Sequence, residues 1–426
     1  VSRSSWRRLL EGAGGISLEW DSPMACHTTL RVGGAVACLA RPHTLEALRG
    51  LLARVRDEGV PWFLLGGGSN LLAPDDPMDA VAVRLGAFAG EIGPAKMAGD
   101  EVEVYVGGGV RMACWLRFCL RHGLRGMEFL AGIPGTVGGG LWMNAGADGG
   151  CMADGLLWLD CLDASGERIR LERRELEARY RSMGCARGWV LLGGCFRLRP
   201  GKREAVRKRL KYLVNRRREV QPSSRRTAGC VFKNPPGSSA GRLLDRAGVK
   251  GMRVGEAQVS RRHANWIVNR GRARSRDVLT LMERMEKRVR ESFGIRQADE
   301  PILNVGPSVK RIDESVVYQA ECHAVAAEIP SSQIDFQGDF GIGVDEKVLM
   351  AASPGFQRVI LARQRQIIGV SSDRKFNDAE AFSHQIDFPV GFDPGGDVLH
   401  GMPSDEEIDG FFGFPVEERI PNESAD

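Results

Sequence analysis

At 426 residues the chain exceeds what one hydrophobic core supports, so two or three domains are expected. Its 43% hydrophobic and 27% charged residues are those of an ordinary soluble globular protein, and no apolar run approaches the roughly 18 residues that a spanning helix needs. The net charge of +5 is unevenly spread: the chain from Pro307 onward carries 9 basic and 22 acidic residues, against 50 and 32 before it.

The opening, VSRSSWRRLLEGAGG, is basic and lacks the apolar stretch of a secretory leader. Residues 1–60 read as a strand-rich start followed by an amphipathic helix over Thr44–Glu58. Residues 61–200 alternate short β runs with a helix around Met112–His122. Glu101–Val106 alternates valine with polar residues, as a half-exposed strand should, and Leu156–Asp163 and Trp189–Leu198 are further strands. A helix runs from Lys202 to about Glu219 and stops before Gln221-Pro222. Val206, Leu210, Leu213 and Val214 share one face of it. Its arginines are then read as a solvated face in preference to a nucleic-acid surface, so no nucleic-acid partner is expected. Strand and helix signals return from Thr227 to Gly306, including a long polar helix over Ser275–Phe293.

The acidic segment 307–426 differs in kind. Gln333-Ile334-Asp335-Phe336 recurs as Gln385-Ile386-Asp387-Phe388, and Phe356–Gln366 has helical character. Four residues are too few to define a repeat, and the role of this segment is unassigned. The ten cysteines are scattered through apolar contexts with no CxxC, so they read as small hydrophobes in a reducing cytoplasm. No metal site and no membrane insertion are expected.

Two glycine-rich segments carry the functional signal. Phe63–Ala73 (FLLGGGSNLLA) runs a short apolar strand into Gly66-Gly67-Gly68-Ser69-Asn70. Ala131–Gly150 (AGIPGTVGGGLWMNAGADGG) packs eight glycines around a few small apolar residues. Such density is costly inside a helix or strand, and it suits backbone that turns sharply and offers its amides to phosphate. Neither segment has the spacing of a phosphate-binding P-loop or a dinucleotide-binding βαβ unit.

Six segments in order resemble the UDP-N-acetylenolpyruvoylglucosamine reductase family: His27–Gly34 (HTTLRVGG), Gly66–Asn70, Gly123–Gly146, Tyr180-Arg181-Ser182, Ala228–Pro235 (AGCVFKNP), and His263-Ala264-Asn265 with Ile267-Val268-Asn269. The resemblance spans about residues 15–306. It implies an α+β fold: a two-lobed FAD-binding domain of the vanillyl-alcohol-oxidase/PCMH type at 1–200 (lobes about 1–60 and 61–200), a smaller α+β substrate domain at 201–306, and the acidic extension. It also implies FAD as cofactor, NADPH as reductant and UDP-N-acetylenolpyruvoylglucosamine as substrate, in cytoplasmic peptidoglycan synthesis. The FAD contacts carried over are Thr29, Gly66, Gly67, Gly68, Ser69, Asn70, Gly132, Ile133, Pro134, Gly135, Gly138, Gly139, Asn144, Ala145 and Gly146. Tyr180, Lys233 and Asn234 are carried over as substrate contacts.

Three catalytic residues follow from the same resemblance. Arg181 suits the grip on a carboxylate, because a guanidinium keeps its charge and binds with two parallel hydrogen bonds. Cys230 stands where the family usually has a serine proton donor, and a thiol is the better acid. Counting without a gap from Phe293-Gly294-Ile295 puts Glu300 at the position of the family's glutamate, although Gln297-Ala298-Asp299 and Pro301 depart from its usual flanks. The 49 residues from Arg181 to Cys230 match the subgroup without a long substrate-closing loop. The rival expectations are a catalytically impaired flavoprotein or scaffold of this fold and, more distantly, another oxidase of the flavin superfamily.

Overall fold

The computed structural model describes residues 3–293 except 13, 187, 223, 225, 236 and 237. Glu300, the repeated QIDF tetrapeptide and Phe356–Gln366 lie outside the described residues.

Helix α1 (Arg3–Glu11), strand β1 (Ile16–Pro23), the single turn α2 (Met24–His27), β2 (Ala35–Pro42), α3 (Leu45–Asp57), β3 (Trp62–Leu64) and β4 (Met78–Val83) build the first lobe. Its sheet runs β1-β2-β4-β3, with β1 antiparallel to β2 and the other pairings parallel. β3 and β4 follow residue 60 and still belong to this sheet. β2 is buried along most of its length, as a near-continuous apolar strand in a parallel pairing must be. In α3, Leu48, Leu51, Leu52 and Val55 recur at helical spacing and are buried, each contributing about 1.5–3 kcal/mol before entropy. Thr44 caps it, its Oγ1 accepting from the Ala47 amide at 3.1 Å.

β5 (Lys96–Ala98), β6 (Glu101–Gly107), α4 (Met112–Arg121), β7 (Leu124–Arg125), α5 (Val137–Trp142), the hairpin β8 (Gly146–Ala147) and β9 (Gly150–Cys151), the turn α6 (Met152–Gly155), β10 (Leu156–Leu162), β11 (Arg168–Glu172), β12 (Val190–Pro200) and α7 (Arg203–Val220) form the second lobe. The sheet order is β11-β10-β12-β6-β5, all antiparallel, with β7 on β12. Buried and part-buried residues alternate along β6. Val206, Leu210, Leu213 and Val214 of α7 join a core that includes Trp115 and Phe196, whose rings lie 5.7 Å apart.

One expectation fails here. The glycine-rich stretch does hold a helix, α5, with Gly138-Gly139-Gly140 inside it. Packing explains two of the three glycines: a Cβ on Gly138 would lie 2.9 Å from Gly108 O, and one on Gly140 2.6 Å from Met112 Cε and 2.7 Å from Met152 Sδ. The Thr136 hydroxyl caps the helix by accepting from Gly139 N at 3.3 Å. Val137 N and Gly138 N both donate at 2.8 Å, to the carbonyls of Val110 and Gly108. The first amides of α5 are therefore already bonded.

α8 (Ala240–Arg246), β13 (Arg253–Val254), β14 (Ala257–Val259), β15 (Ile267–Asn269) and α9 (Ser275–Phe293) complete the fold around a three-stranded antiparallel sheet. Their core includes Leu30, Val32 and Leu72 of the first lobe. The Asp75 carboxylate accepts from Ser275 N at 2.7 Å and Arg276 N at 3.1 Å, putting negative charge at the start of α9 where the helix dipole favours it. No helix among the described residues is long and apolar enough to cross a membrane. None of their His, Cys, Asp and Glu side chains form a cluster that could hold a metal.

Candidate active site

The two glycine segments meet. Gly67 approaches Gly135 so closely that a Cβ on Gly67 would lie 2.6 Å from the Gly135 Cα. Ser69 Oγ donates to the Pro134 carbonyl at 3.2 Å. Thr29 joins them: its amide donates to Gly68 O at 3.0 Å, and its hydroxyl to Thr227 O at 2.6 Å. Gly68 has φ +61°, and a Cβ there would strike the His27 carbonyl. Among the described residues, the amides of Gly66, Gly67, Gly68 and Ser69 donate to no protein acceptor. Such a row of amides beside a second glycine turn fits the diphosphate of a nucleotide cofactor.

The other expected cofactor residues divide. Ile133 N donates to Leu130 O at 2.8 Å, and Gly132 and Pro134 are exposed. Asn144 is buried, with its side chain engaged inside the protein: Nδ2 donates to Arg179 O at 3.1 Å, and Oδ1 accepts from Ala153 N at 3.0 Å. Ala145 is buried behind it, and Gly146 pairs with Cys151 in the β8–β9 hairpin. Gly138 and Gly139 sit in α5. Asn70, Lys233 and Arg181 make further polar or electrostatic contacts within the protein.

Asn144 anchors the turn that presents the catalytic candidates. Arg179 and Ser182 exchange backbone hydrogen bonds of 2.8 and 3.1 Å, leaving Tyr180 and Arg181 at the tip of a two-residue turn. Arg181 has φ +61°, a left-handed conformation that costs a non-glycine residue roughly 1–2 kcal/mol. Its guanidinium lies 5.4 Å from the Tyr180 ring centroid. Together with the β8–β9 hairpin, this turn lines a cavity of about 460 Å³.

The segment carrying Cys230 reaches the same place. The Tyr180 hydroxyl is 3.5 Å from the Asn234 amide, and Cys230 bridges to Trp266. Cys230 is solvent-exposed, although protein packs closely around its thiol. Burial raises its thiol above the usual value, while the charges of Arg181 and Arg217 lower it. The Trp266 indole is close enough to oppose that rise, yet its buried N–H forms no hydrogen bond. Burial raises other thiols as well, pushing Cys38, Cys161 and Cys185 up to about 12, and Cys195 to about 11.

The motif reading gave no role to Asn265 and Asn269. Asn265 clamps the Phe232 backbone, accepting from its N–H and donating to its C=O, both at 2.9 Å. Asn269 donates to Leu30 O at 3.0 Å and accepts from Gly271 N at 2.8 Å and Ala273 N at 3.1 Å. The sequence reading also left Arg217 among the solvated arginines of α7, but it lies 7 residues after Leu210 and 3 after Val214, on the buried face. Its side chain is only 15% exposed.

Residues 36–172 match the FAD binding domain family, and residues 221–303 match UDP-N-acetylenolpyruvoylglucosamine reductase, C-terminal domain. The chain is similar to the UDP-N-acetylenolpyruvoylglucosamine reductase of Syntrophobacter fumaroxidans, with 47% identity over 282 residues covering 66% of this chain and 82% of that protein. Its identity to the enzyme of that name from Heliobacterium modesticaldum is 40% over 296 residues, 69% of this chain and 92% of the relative. The crystal structure of UDP-N-acetylenolpyruvylglucosamine reductase from Thermus caldophilus superposes with a TM-score of 0.55 at 37% identity, covering 64% of this chain and 94% of that one.

Proposed function

The chain belongs to the UDP-N-acetylenolpyruvoylglucosamine reductase family, and we propose that it uses NADPH to reduce UDP-N-acetylenolpyruvoylglucosamine to UDP-N-acetylmuramate in cytoplasmic peptidoglycan synthesis. It is an oxidoreductase with an FAD-binding domain. The observation that best supports the finer reading is the meeting of the Tyr180-Arg181 turn with the Cys230–Asn234 segment, beside loops whose amides are open to phosphate.

When bound, FAD supplies the two-electron redox chemistry. The chain's own groups do the rest. The amides of Gly66–Ser69 and the turn at Gly132–Gly135 hold the cofactor diphosphate. Arg181 grips the enolpyruvyl carboxylate and stabilises the negative charge that develops as the double bond is reduced. Cys230 gives its proton to the carbon that bears the carboxylate, and the thiolate then recovers a proton from water. The raised thiol keeps that proton available at neutral pH. Tyr180, Lys233 and Asn234 orient the UDP-sugar. Glu300, outside the described residues, completes this reading as the carboxyl partner of Arg181. The domain assignment proposed with it is FAD binding at 1–200, substrate binding at 201–306 and a separate acidic module at 307–426.

The two half-reactions test the proposal separately in an anaerobic stopped-flow cell. NADPH should bleach the flavin absorbance, and the UDP-sugar should restore it. Bleaching without recovery would favour a flavoprotein that binds but does not turn over this substrate.

A further inference from the structure

Trp266 buries a donor that nothing meets. Its backbone is tied on both sides: the N–H donates to His263 O at 3.2 Å, and the carbonyl accepts from Ser260 N at 2.8 Å. The indole stands beside the His263 ring, with centroids 6.1 Å apart. Its Nε1–H is buried and has no hydrogen-bond acceptor among the described residues. Buried indoles normally pair that N–H, and an unmet donor destabilises the fold. A phenylalanine would fill the space without that penalty.

The residue opposite is Cys230. The two face each other in an isolated antiparallel bridge. Directly opposed residues of an antiparallel pair send their side chains to the same side, with Cβ atoms about 4.5–5.5 Å apart. Neighbouring bonds fix the pairing. Val231 N donates to Asn265 O at 3.0 Å, and the Asn265 side chain bonds both backbone groups of Phe232 at 2.9 Å. An unmet N–H and a thiol are thus carried side by side on one short, rigid pairing. A neutral thiol is a weak acceptor. A thiolate is an anion, and a hydrogen bond to a charged acceptor is roughly twice as strong as one to a neutral acceptor.

We propose that the Trp266 indole N–H is the donor that stabilises the Cys230 sulfur as it gives up its proton. The step itself rests on the reductase reading above. In it the S–H bond breaks, and the proton joins the substrate carbon through the electron pair that the reduced double bond leaves there. The S–H pair stays on sulfur as a thiolate. An N–H unmet before this step and met during it favours the transition state over the resting state, which is what lowers a barrier. The charged groups that act on the sulfur are Arg181 and Arg217. His263, against the indole, is pushed toward its neutral form by burial and by Lys250, and its Nδ1 accepts from Asn265 N at 3.2 Å. It therefore adds no charge at neutral pH.

The test uses the full FAD-loaded chain with Trp266→Phe, which keeps an aromatic ring and removes the N–H. Iodoacetamide labelling of the Cys230 peptide, read by mass spectrometry across a pH series, should move up by about one pH unit. Reoxidation by UDP-N-acetylenolpyruvoylglucosamine should slow about 3- to 10-fold while reduction by NADPH holds, and its alkaline limb should move up with the labelling. In a Cys230→Ala background, Trp266→Phe should slow reoxidation no further, because no sulfur is there to stabilise. Labelling that does not move, or an equal further loss in the Cys230→Ala background, overturns the proposal and makes the indole structural. Labelling needs neither NADPH nor the UDP-sugar. A parent that the UDP-sugar never reoxidises, with the labelling shift intact, therefore overturns the reductase reading and leaves the Trp266–Cys230 contact standing. Should Trp266→Phe lose its flavin, Trp266→Tyr, which is larger and also lacks the N–H, carries the labelling comparison.

Discussion

Gly68→Ala is the sharpest perturbation of the cofactor loop. Two separable costs act at this position. A left-handed backbone, φ +61°, costs an alanine roughly 1–2 kcal/mol. The added Cβ would also strike the His27 carbonyl and come within 3.0 Å of Thr28 Cα, both backbone atoms that cannot rotate away. Overpacking of this kind adds about 1–3 kcal/mol, for a total of about 2–5 kcal/mol. Gly59 is the matched control: its φ is +63°, and nothing lies within 4 Å of a Cβ there, so Gly59→Ala carries only the first cost. At about 2.1 cal/mol/K of unfolding entropy per residue, each kcal/mol lowers the Tm of a chain this long by about 1–2 °C, so the two variants should differ by about 1–5 °C. Gly68→Ala should also weaken FAD, because the clash is relieved by moving the loop whose amides are proposed to hold the phosphates. Differential scanning calorimetry and equilibrium dialysis of the flavin measure both effects. If Gly68→Ala melts with Gly59→Ala and retains FAD equally well, the close approach to His27 does not shape this loop.

Cys230→Ser should keep substantial turnover, whereas Cys230→Ala should spare reduction by NADPH and slow reoxidation by the UDP-sugar on the order of 10²–10⁴-fold; equal loss in both half-reactions would make the residue structural. Because burial holds the Cys230 proton above the usual thiol range, the reoxidation rate should stay level through neutral pH. It should fall only as alkali removes that proton, and Cys230→Ser should lack this alkaline limb in a stopped-flow pH series. Asn265→Ala leaves the buried Phe232 N–H and C=O without partners, at about 2–5 kcal/mol; urea titration reads that cost, and a slowed reoxidation half-reaction reads the displaced Cys230.

Long periodic elements were legible in the sequence. The helix at Ser275–Phe293 matches residue for residue, and those at Met112 and Arg203 agree within a residue or two at each end. Apolar periodicity and caps are local signals, so a window of the chain contains them. The α5 helix was hidden because Gly138 answers to the Gly108 backbone and Gly140 to Met112 and Met152, partners that become visible only after folding. The catalytic candidates were found through motifs, and the support beneath them was not. Asn265 acts on a backbone 33 residues away and Asn269 on one 239 away, distances at which no spacing rule operates. Arg217 was the exception. The stripe on α7 already pointed to it, and a guanidinium on an apolar stripe is the unusual observation.

These clamps share a logic that bears on what holds the site together. The Arg181 turn hangs from Asn144, the Cys230 segment from Asn265, and the Thr29 entry from Asn269. Each asparagine offers one donor and one acceptor site to buried backbone, so each can fix a loop that has no strand partner. The three lie on different elements, and the segments they hold are far apart in sequence. A charge-bearing turn such as Tyr180-Arg181, held in a left-handed conformation, would relax if it were held by one bond among mobile neighbours. Asn144 also bonds Ala153, at the start of the α6 turn, so the turn is braced against the same hairpin that carries Asp148. The Arg181 turn and the Arg216 and Arg217 ion pairs of α7 thus converge on one β-hairpin. Loosening that hairpin should disturb the turn and the helix contacts together, whereas a change confined to α7 should disturb only the latter.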